Sequence, residues 1–87
     1  MLTLEHLRTQ IKQIDAKIIE SLAKRQELSK QIGRLKWAQG KEVVDRTQEK
    51  KLFEFYETLS EQYHLQKTFV KRLFKLIITY SRRVQKS

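Results

Sequence analysis

Residues 4–38 read LEHLRTQIKQIDAKIIESLAKRQELSKQIGRLKWA, and the spacing of their apolar positions decides the fold. Leu4, Leu7, Ile11, Ile14, Ile18 and Leu22 recur at intervals of three and four, which at 100° per residue puts them on one stripe of a helix. Within this stretch the only breaker is Gly33, which a helix interior tolerates at a cost of about 1 kcal/mol. The expectation is a helix from about Leu4 to Trp37 or Ala38, roughly 50 Å long at 1.5 Å per residue, stopped by Gln39-Gly40-Lys41.

The remainder of the chain is equally poor in breakers, with no proline and only one further glycine among 87 residues. After an extended Glu42-Val43-Val44, Asp45 is a good N-cap with Gln48 three residues on, so a second helix is expected from about Arg46 to Tyr63. His64-Leu65-Gln66 makes the next break. A third helix follows from about Thr68 to Gln85, with Phe69, Leu73, Leu76, Ile77 and Tyr80 at helical spacing. No repeat, low-complexity tract or linker interrupts this order, which predicts an all-α fold of three helices in one domain, residues 1–87.

A domain of this size should have a radius of gyration of about 12 Å and bury only about 60% of the surface its unfolded chain exposes. A helix of roughly 50 Å is longer than such a globule is wide, so half of its apolar stripe would lie bare in a monomer. The stripe argues for a partner, most economically a second copy of the chain, giving an intertwined homodimeric helical bundle.

Composition narrows the function. There is no cysteine, which excludes disulfides and thiolate metal sites and favours a reducing compartment. His6 and His64 stand far apart with no carboxylates at ligand spacing, so no metal is expected. The N-terminal MLTLEHLRTQIKQID lacks the apolar run and small-residue cleavage site of a signal peptide, and no stretch approaches the ~20 apolar residues of a membrane span. A soluble cytoplasmic protein without membrane association is the expectation. The net charge of +9 and a pI of about 10.0 favour an anionic partner, whether nucleic acid, acidic membrane or a small polyanionic metabolite.

The placement of the cations chooses among these. Continued at the same phase, the stripe of the first helix meets Arg25, Ser29, Ile32 and Lys36, with Arg8 at its edge. In the second helix the face of Leu52, Tyr56, Leu59 and Tyr63 leads back to Glu49 and Asp45. In the third, Val70, Phe74 and Ile77 run into Ser81 and Gln85. Taken singly, a seam arginine usually snorkels to solvent and a terminal Ser or Gln marks fraying. Three apolar seams that each turn polar at one end point instead to one pocket holding Arg, Lys, Glu, Ser and Gln. Its excess of positive charge is costly when buried, and a bound anion would remove that cost. The strings KWAQGK, KKLF and SRRVQK suggest a nucleic-acid-binding helical dimer as the rival. Phosphate-contacting cations belong on solvated faces, however, whereas Arg25 and Lys36 lie on the seam. Lys50, Lys51, Arg82 and Arg83 read as a solubilising surface.

These same residues carry a family resemblance. LRTQIKQIDAKIIESLAKRQELSKQIGRLK (residues 7–36) resembles the long first helix of the all-helical class of chorismate mutases, with its Arg, Ile-Asp pair, Ala-x-Arg and Ile-Gly-x-x-Lys. VVDRTQE (residues 43–49) resembles the start of that family's second helix, and FVKRLFKLIITYSRRVQ (residues 69–85) its third. The resemblance runs ordered and ungapped from about Leu4 to Gln85. It implies an isomerase that rearranges the dianion chorismate to prephenate in aromatic amino-acid biosynthesis, with no metal or organic cofactor, and it implies that Arg8 and Arg25 grip one small molecule. Since they lie roughly 25 Å apart on one helix, the active sites are expected to be shared across a homodimer. It assigns Arg8 and Arg25 to substrate carboxylates, and Lys36 to the ether oxygen together with a carboxylate. Gln85 is assigned to the same ether oxygen, Ser81 to the ring carboxylate, and Asp45 and Glu49 to the surroundings of the ring hydroxyl. In one respect the chain departs from the family, which usually has Arg-Glu where this chain has Gln48-Glu49. A cation near the ring carboxylate is then missing. Arg46 is nearby in sequence but lies about 200° around the helix from Gln48. The isochorismate-pyruvate lyases, which resemble the same class, are the nearest enzymatic alternative.

The chemistry suits such a pocket. A unimolecular [3,3] shift needs no nucleophile, proton transfer or redox centre. What lowers its barrier is a clamp on the enolpyruvyl side chain and donors aimed at the ether oxygen, where charge grows as the C–O bond breaks. Guanidinium forks fix carboxylates in orientation as well as position.

Overall fold

The structure, a computed structural model, describes residues 2–86. Three helices account for it: α1 (Leu4–Ala38), α2 (Arg46–Gln62) and α3 (Lys67–Lys86). No strand occurs among the described residues, so the all-α expectation holds, with each boundary within a residue or two of its predicted place. Thr3 caps α1 by accepting the His6 backbone N–H at 3.1 Å. No helix among the described residues is long and apolar enough to cross a membrane.

Both breaks use the same device. After α1, Gly40 takes φ 66°, the Lys41 N–H bonds back to the Lys36 carbonyl at 2.8 Å and the Gly40 N–H to the Trp37 carbonyl. This is the Schellman arrangement, in which a left-handed residue lets two orphan carbonyls be satisfied. After α2 the left-handed residue is His64, at φ 56°, and Leu65 N–H reaches the Ser60 carbonyl at 2.9 Å. A side chain in that conformation costs roughly 1–2 kcal/mol that glycine would not.

α3 packs against both α1 and α2. The buried core, Tyr56, Val70 and Ile78, is extended by Leu52, Phe53 and Phe74, and so lies chiefly between α2 and α3. Tyr56 stacks on Phe74 with ring centroids 3.9 Å apart and meets the edge of Phe53 at 5.6 Å. Two seam assignments shift. Ile78, rather than Ile77, is the fully buried isoleucine, and Tyr63 caps the end of α2 as an exposed residue. The α3 face that reads as helical from Phe69, Leu73, Leu76 and Tyr80 is exposed.

α1 buries only Ser29 and Gly33 fully. Its first five stripe residues, Leu4 to Ile18, are all exposed, Ile14 to 58%. The chain measures 58 × 25 × 15 Å with a radius of gyration of 16.3 Å, well above the ~12 Å of a compact domain of this length.

Gly33 does more than tolerate a helix interior. A Cβ at this position would lie 2.5 Å from the Gln85 carbonyl oxygen and 2.7 Å from its Cα, so only glycine lets the end of α3 lie against α1. Gly33→Ala is expected to lower the melting temperature, because overpacking against backbone costs about 1–3 kcal/mol and outweighs the ~1 kcal/mol gained in helix propensity. A thermal melt at or above wild type would contradict this contact.

Candidate active site

The Gly33 crossing brings the polar ends of the seams together. α1 presents Arg25, Ser29 and Lys36 along one face, and α3 answers with Ser81 and Gln85. Ser81, buried at 4% exposure, accepts a hydrogen bond from Arg25 Nη1 while its own hydroxyl donates to the Ile77 carbonyl at 2.9 Å. One turn beyond Ser81 on α3, Gln85 Oε1 accepts from Lys36 Nζ at 3.0 Å, and the same Nζ donates to the Val43 carbonyl at 2.6 Å. The second bond ties the α1–α2 loop to α1.

The Lys36 contact fixes the Gln85 amide. An ammonium can only donate, so the carbonyl side of the amide must face it. Gln85 is left with its NH2 group to donate elsewhere. Lys36 spends two of its three N–H bonds on the protein and keeps one.

α2 supplies the acidic side. Asp45 caps the helix by accepting the Gln48 backbone N–H at 3.0 Å, a preferred N-cap arrangement. Glu49 is held by Arg82 of α3, with Arg82 Nε donating to Oε2 at 3.0 Å and Nη2 donating to Oε1. Their side chains are 20% and 35% exposed respectively.

All these groups line one cavity of about 330 Å³. Arg25, Lys36 and Arg82 bring positive charge, Asp45 and Glu49 negative, and Ser29, Gln48, Ser81 and Gln85 are neutral and polar. Leu28, Ile32, Val43, Leu52 and Ile78 form the apolar wall. A recess of this size, with polar and charged groups converging beside an apolar wall, can take a small polar ligand. A wider groove of about 610 Å³ between α2 and α3 carries Lys50, Lys67, Lys71 and Lys75 and none of the predicted site residues.

Of the residues selected from sequence, Arg25, Lys36, Asp45, Gln48, Glu49, Ser81 and Gln85 meet at the cavity. Arg8 does not. It stands on the exposed half of α1 and pairs with Glu5 at 3.0 Å, roughly 25 Å along the helix from Arg25. Arg82 is a correction in the other direction, since it lines the cavity and grips Glu49 instead of serving as solubilising surface. Helical phase missed it because it lies 100° from Ser81, off the seam.

Comparison with known sequences decides the family. The profile described as Chorismate mutase type II matches residues 7–86. The chain belongs to that family. Its curated relatives include the bifunctional chorismate mutase/prephenate dehydratases of Escherichia coli K12 and Shigella flexneri, each 38% identical over 72 residues. The match covers 83% of this chain and 19% of each relative, so the chain spans about a fifth of their length. Membership of that family accounts for the predicted polar seams, which the nucleic-acid-binding reading leaves unexplained.

Proposed function

We propose that residues 1–87 form one chorismate mutase domain that converts chorismate to prephenate, acting as a cytoplasmic homodimer without metal or organic cofactor. The observation that carries the reading is the convergence of Arg25, Lys36, Glu49, Ser81 and Gln85, from three helices, on one recess with a net excess of cations.

In this reading Arg25 clamps a substrate carboxylate, and Ser81, already bonded to Arg25, sits beside the ring carboxylate. The spare N–H of Lys36 and the NH2 of Gln85 both reach the ether oxygen. Each interacts more strongly as negative charge accumulates there, and this preference for the transition state over the ground state accelerates the step. Because Val43 and Gln85 hold Lys36 Nζ in place, the donor needs little reorganisation during reaction. Glu49 accepts from the ring hydroxyl and discriminates against analogues lacking it. Asp45 lies at the same end.

Arg8 completes the site from the other subunit. Antiparallel pairing of two α1 helices would cover the exposed stripe from Leu4 to Ile18 and bring Arg8 of the partner subunit toward Arg25. Sedimentation equilibrium at micromolar concentration is expected to give twice the 10.5 kDa chain mass, with stability rising with protein concentration. A 10.5 kDa species would remove the basis for a shared site.

Chorismate ultraviolet absorbance tests the activity. Its loss should be catalysed, saturable in chorismate and insensitive to a chelator. Decay at the rate seen without protein would defeat the proposal.

A further inference from the structure

The family resemblance implies an arginine where this chain has Gln48, and with it a cation near the ring carboxylate that the chain lacks at that position. The structure puts another arginine at the same cavity, from a different helix. Arg82 follows Ser81 directly, and Ser81 is the residue that the family resemblance sets against the ring carboxylate. Both line the recess together with Gln48 and Glu49.

We propose that Arg82 supplies the missing cation, holding Glu49 with one edge of its guanidinium and binding the substrate's ring carboxylate with the other. The inference rests on the chorismate mutase reading above. Two features of the site support it beyond proximity. The first is donor arithmetic. A guanidinium carries five N–H donors in a fixed planar fork, and Glu49 takes one from Nε and one from Nη2. That pairing is side-on. It leaves the Nη1–Nη2 edge, which presents two parallel N–H groups in the geometry of a second bidentate carboxylate contact.

The second feature is charge balance. The cavity's own groups are three cations, Arg25, Lys36 and Arg82, and two carboxylates, Asp45 and Glu49. With Arg8 of the partner subunit added, four positive charges face two negative ones, and a dianionic substrate brings the site to neutrality. Without Arg82, Glu49 and the ring carboxylate would share a partly buried site with one cation too few, and like charges there are costly. Glu49 and the substrate thus share one arginine, which also fixes the rotamer of Glu49 for the ring hydroxyl.

The test is a cycle between the arginine and the carboxylate it is said to hold. The value of kcat/KM is measured for chorismate and for its ring-carboxylate methyl ester on wild type, Arg82→Gln, Arg82→Lys and the double variant Arg82→Gln/Gln48→Arg. Circular dichroism and sedimentation confirm fold and mass. Arg82→Gln is expected to lower kcat/KM for chorismate by about 10- to 100-fold, mostly through KM, the range for losing a charge-assisted bidentate contact. The ester should be a poor substrate for wild type and lose little more in Arg82→Gln. Gln48→Arg should restore the preference for chorismate in the double variant, and Arg82→Lys should fall between, since it keeps the charge and loses the fork. If Arg82→Gln does not fold, Arg82→Lys against the two substrates reads the same coupling. An active wild type whose Arg82 variants penalise chorismate and ester by equal factors overturns the role of Arg82 alone, leaving it as a partner of Glu49. A wild type that leaves chorismate unchanged overturns both this role and the activity on which it rests.

Discussion

Lys36→Ala is expected to lower kcat by at least about a hundredfold, with helical content and oligomeric mass retained. Lys36 lies on the last turn of α1, where its Nζ contacts Gln85 Oε1 and the Val43 carbonyl. Its removal takes away a donor whose interaction with the ether oxygen grows along the reaction coordinate, and the loss of one such preorganised donor costs about 2.7–4 kcal/mol of barrier. It also releases Gln85, which then has no fixed amide orientation, so the second donor to the same oxygen is blunted as well. The core between α2 and α3 does not involve Lys36, and this is why the fold should survive. Turnover measured at saturating chorismate, alongside circular dichroism, checks the point. A variant within tenfold of wild type would mean that Lys36 serves chiefly to tether the α1–α2 loop.

A second large effect is expected from mixing two inactive proteins. Arg8 and Arg25 lie on one straight helix, roughly 25 Å apart, and the cavity includes Arg25 but not Arg8. If both grip one small dianion, they must come from different subunits. Arg8→Ala and Arg25→Ala should then each be nearly inactive alone. Unfolded in equal amounts and refolded together, about half of the dimers are mixed under random pairing, and each mixed dimer has one intact site and one doubly damaged site. Activity should return to about a quarter of wild type. Recovery no greater than the sum of the two variants, with mixed dimers confirmed by mass, would place Arg8 outside the site.

Much of this arrangement is legible in the sequence, for a physical reason. The seam of α1 is long enough for its phase to be read without ambiguity, so Arg25 and Lys36 stand out as cations in apolar positions, and the same phase rule finds Glu49, Ser81 and Gln85. What phase cannot supply is tertiary pairing. Arg82 is 33 residues from Glu49 and off the seam, and nothing local distinguishes it from Arg83, which is exposed. Gly33 illustrates the same limit, since its cost in a helix is visible from sequence while its contact with Gln85 backbone depends on how α3 crosses α1. The choice of Ile78 over its neighbour Ile77 as the buried side chain likewise follows from the crossing of α3 with its neighbours. The stripe from Leu4 to Ile18 is exposed because the helix is too long for its domain, a consequence readable from its length alone, and the chain is correspondingly elongated.

Product identity shows whether the recess between α1, α2 and α3 carries out an intramolecular rearrangement. Chorismate labelled with carbon-13 in its enolpyruvyl group, incubated with purified protein and followed by nuclear magnetic resonance, should convert to prephenate. The labelled three-carbon unit should remain attached, its methylene carbon newly bonded to the ring. Release of the label as free pyruvate, or a spectrum that changes no faster than without protein, would contradict the account.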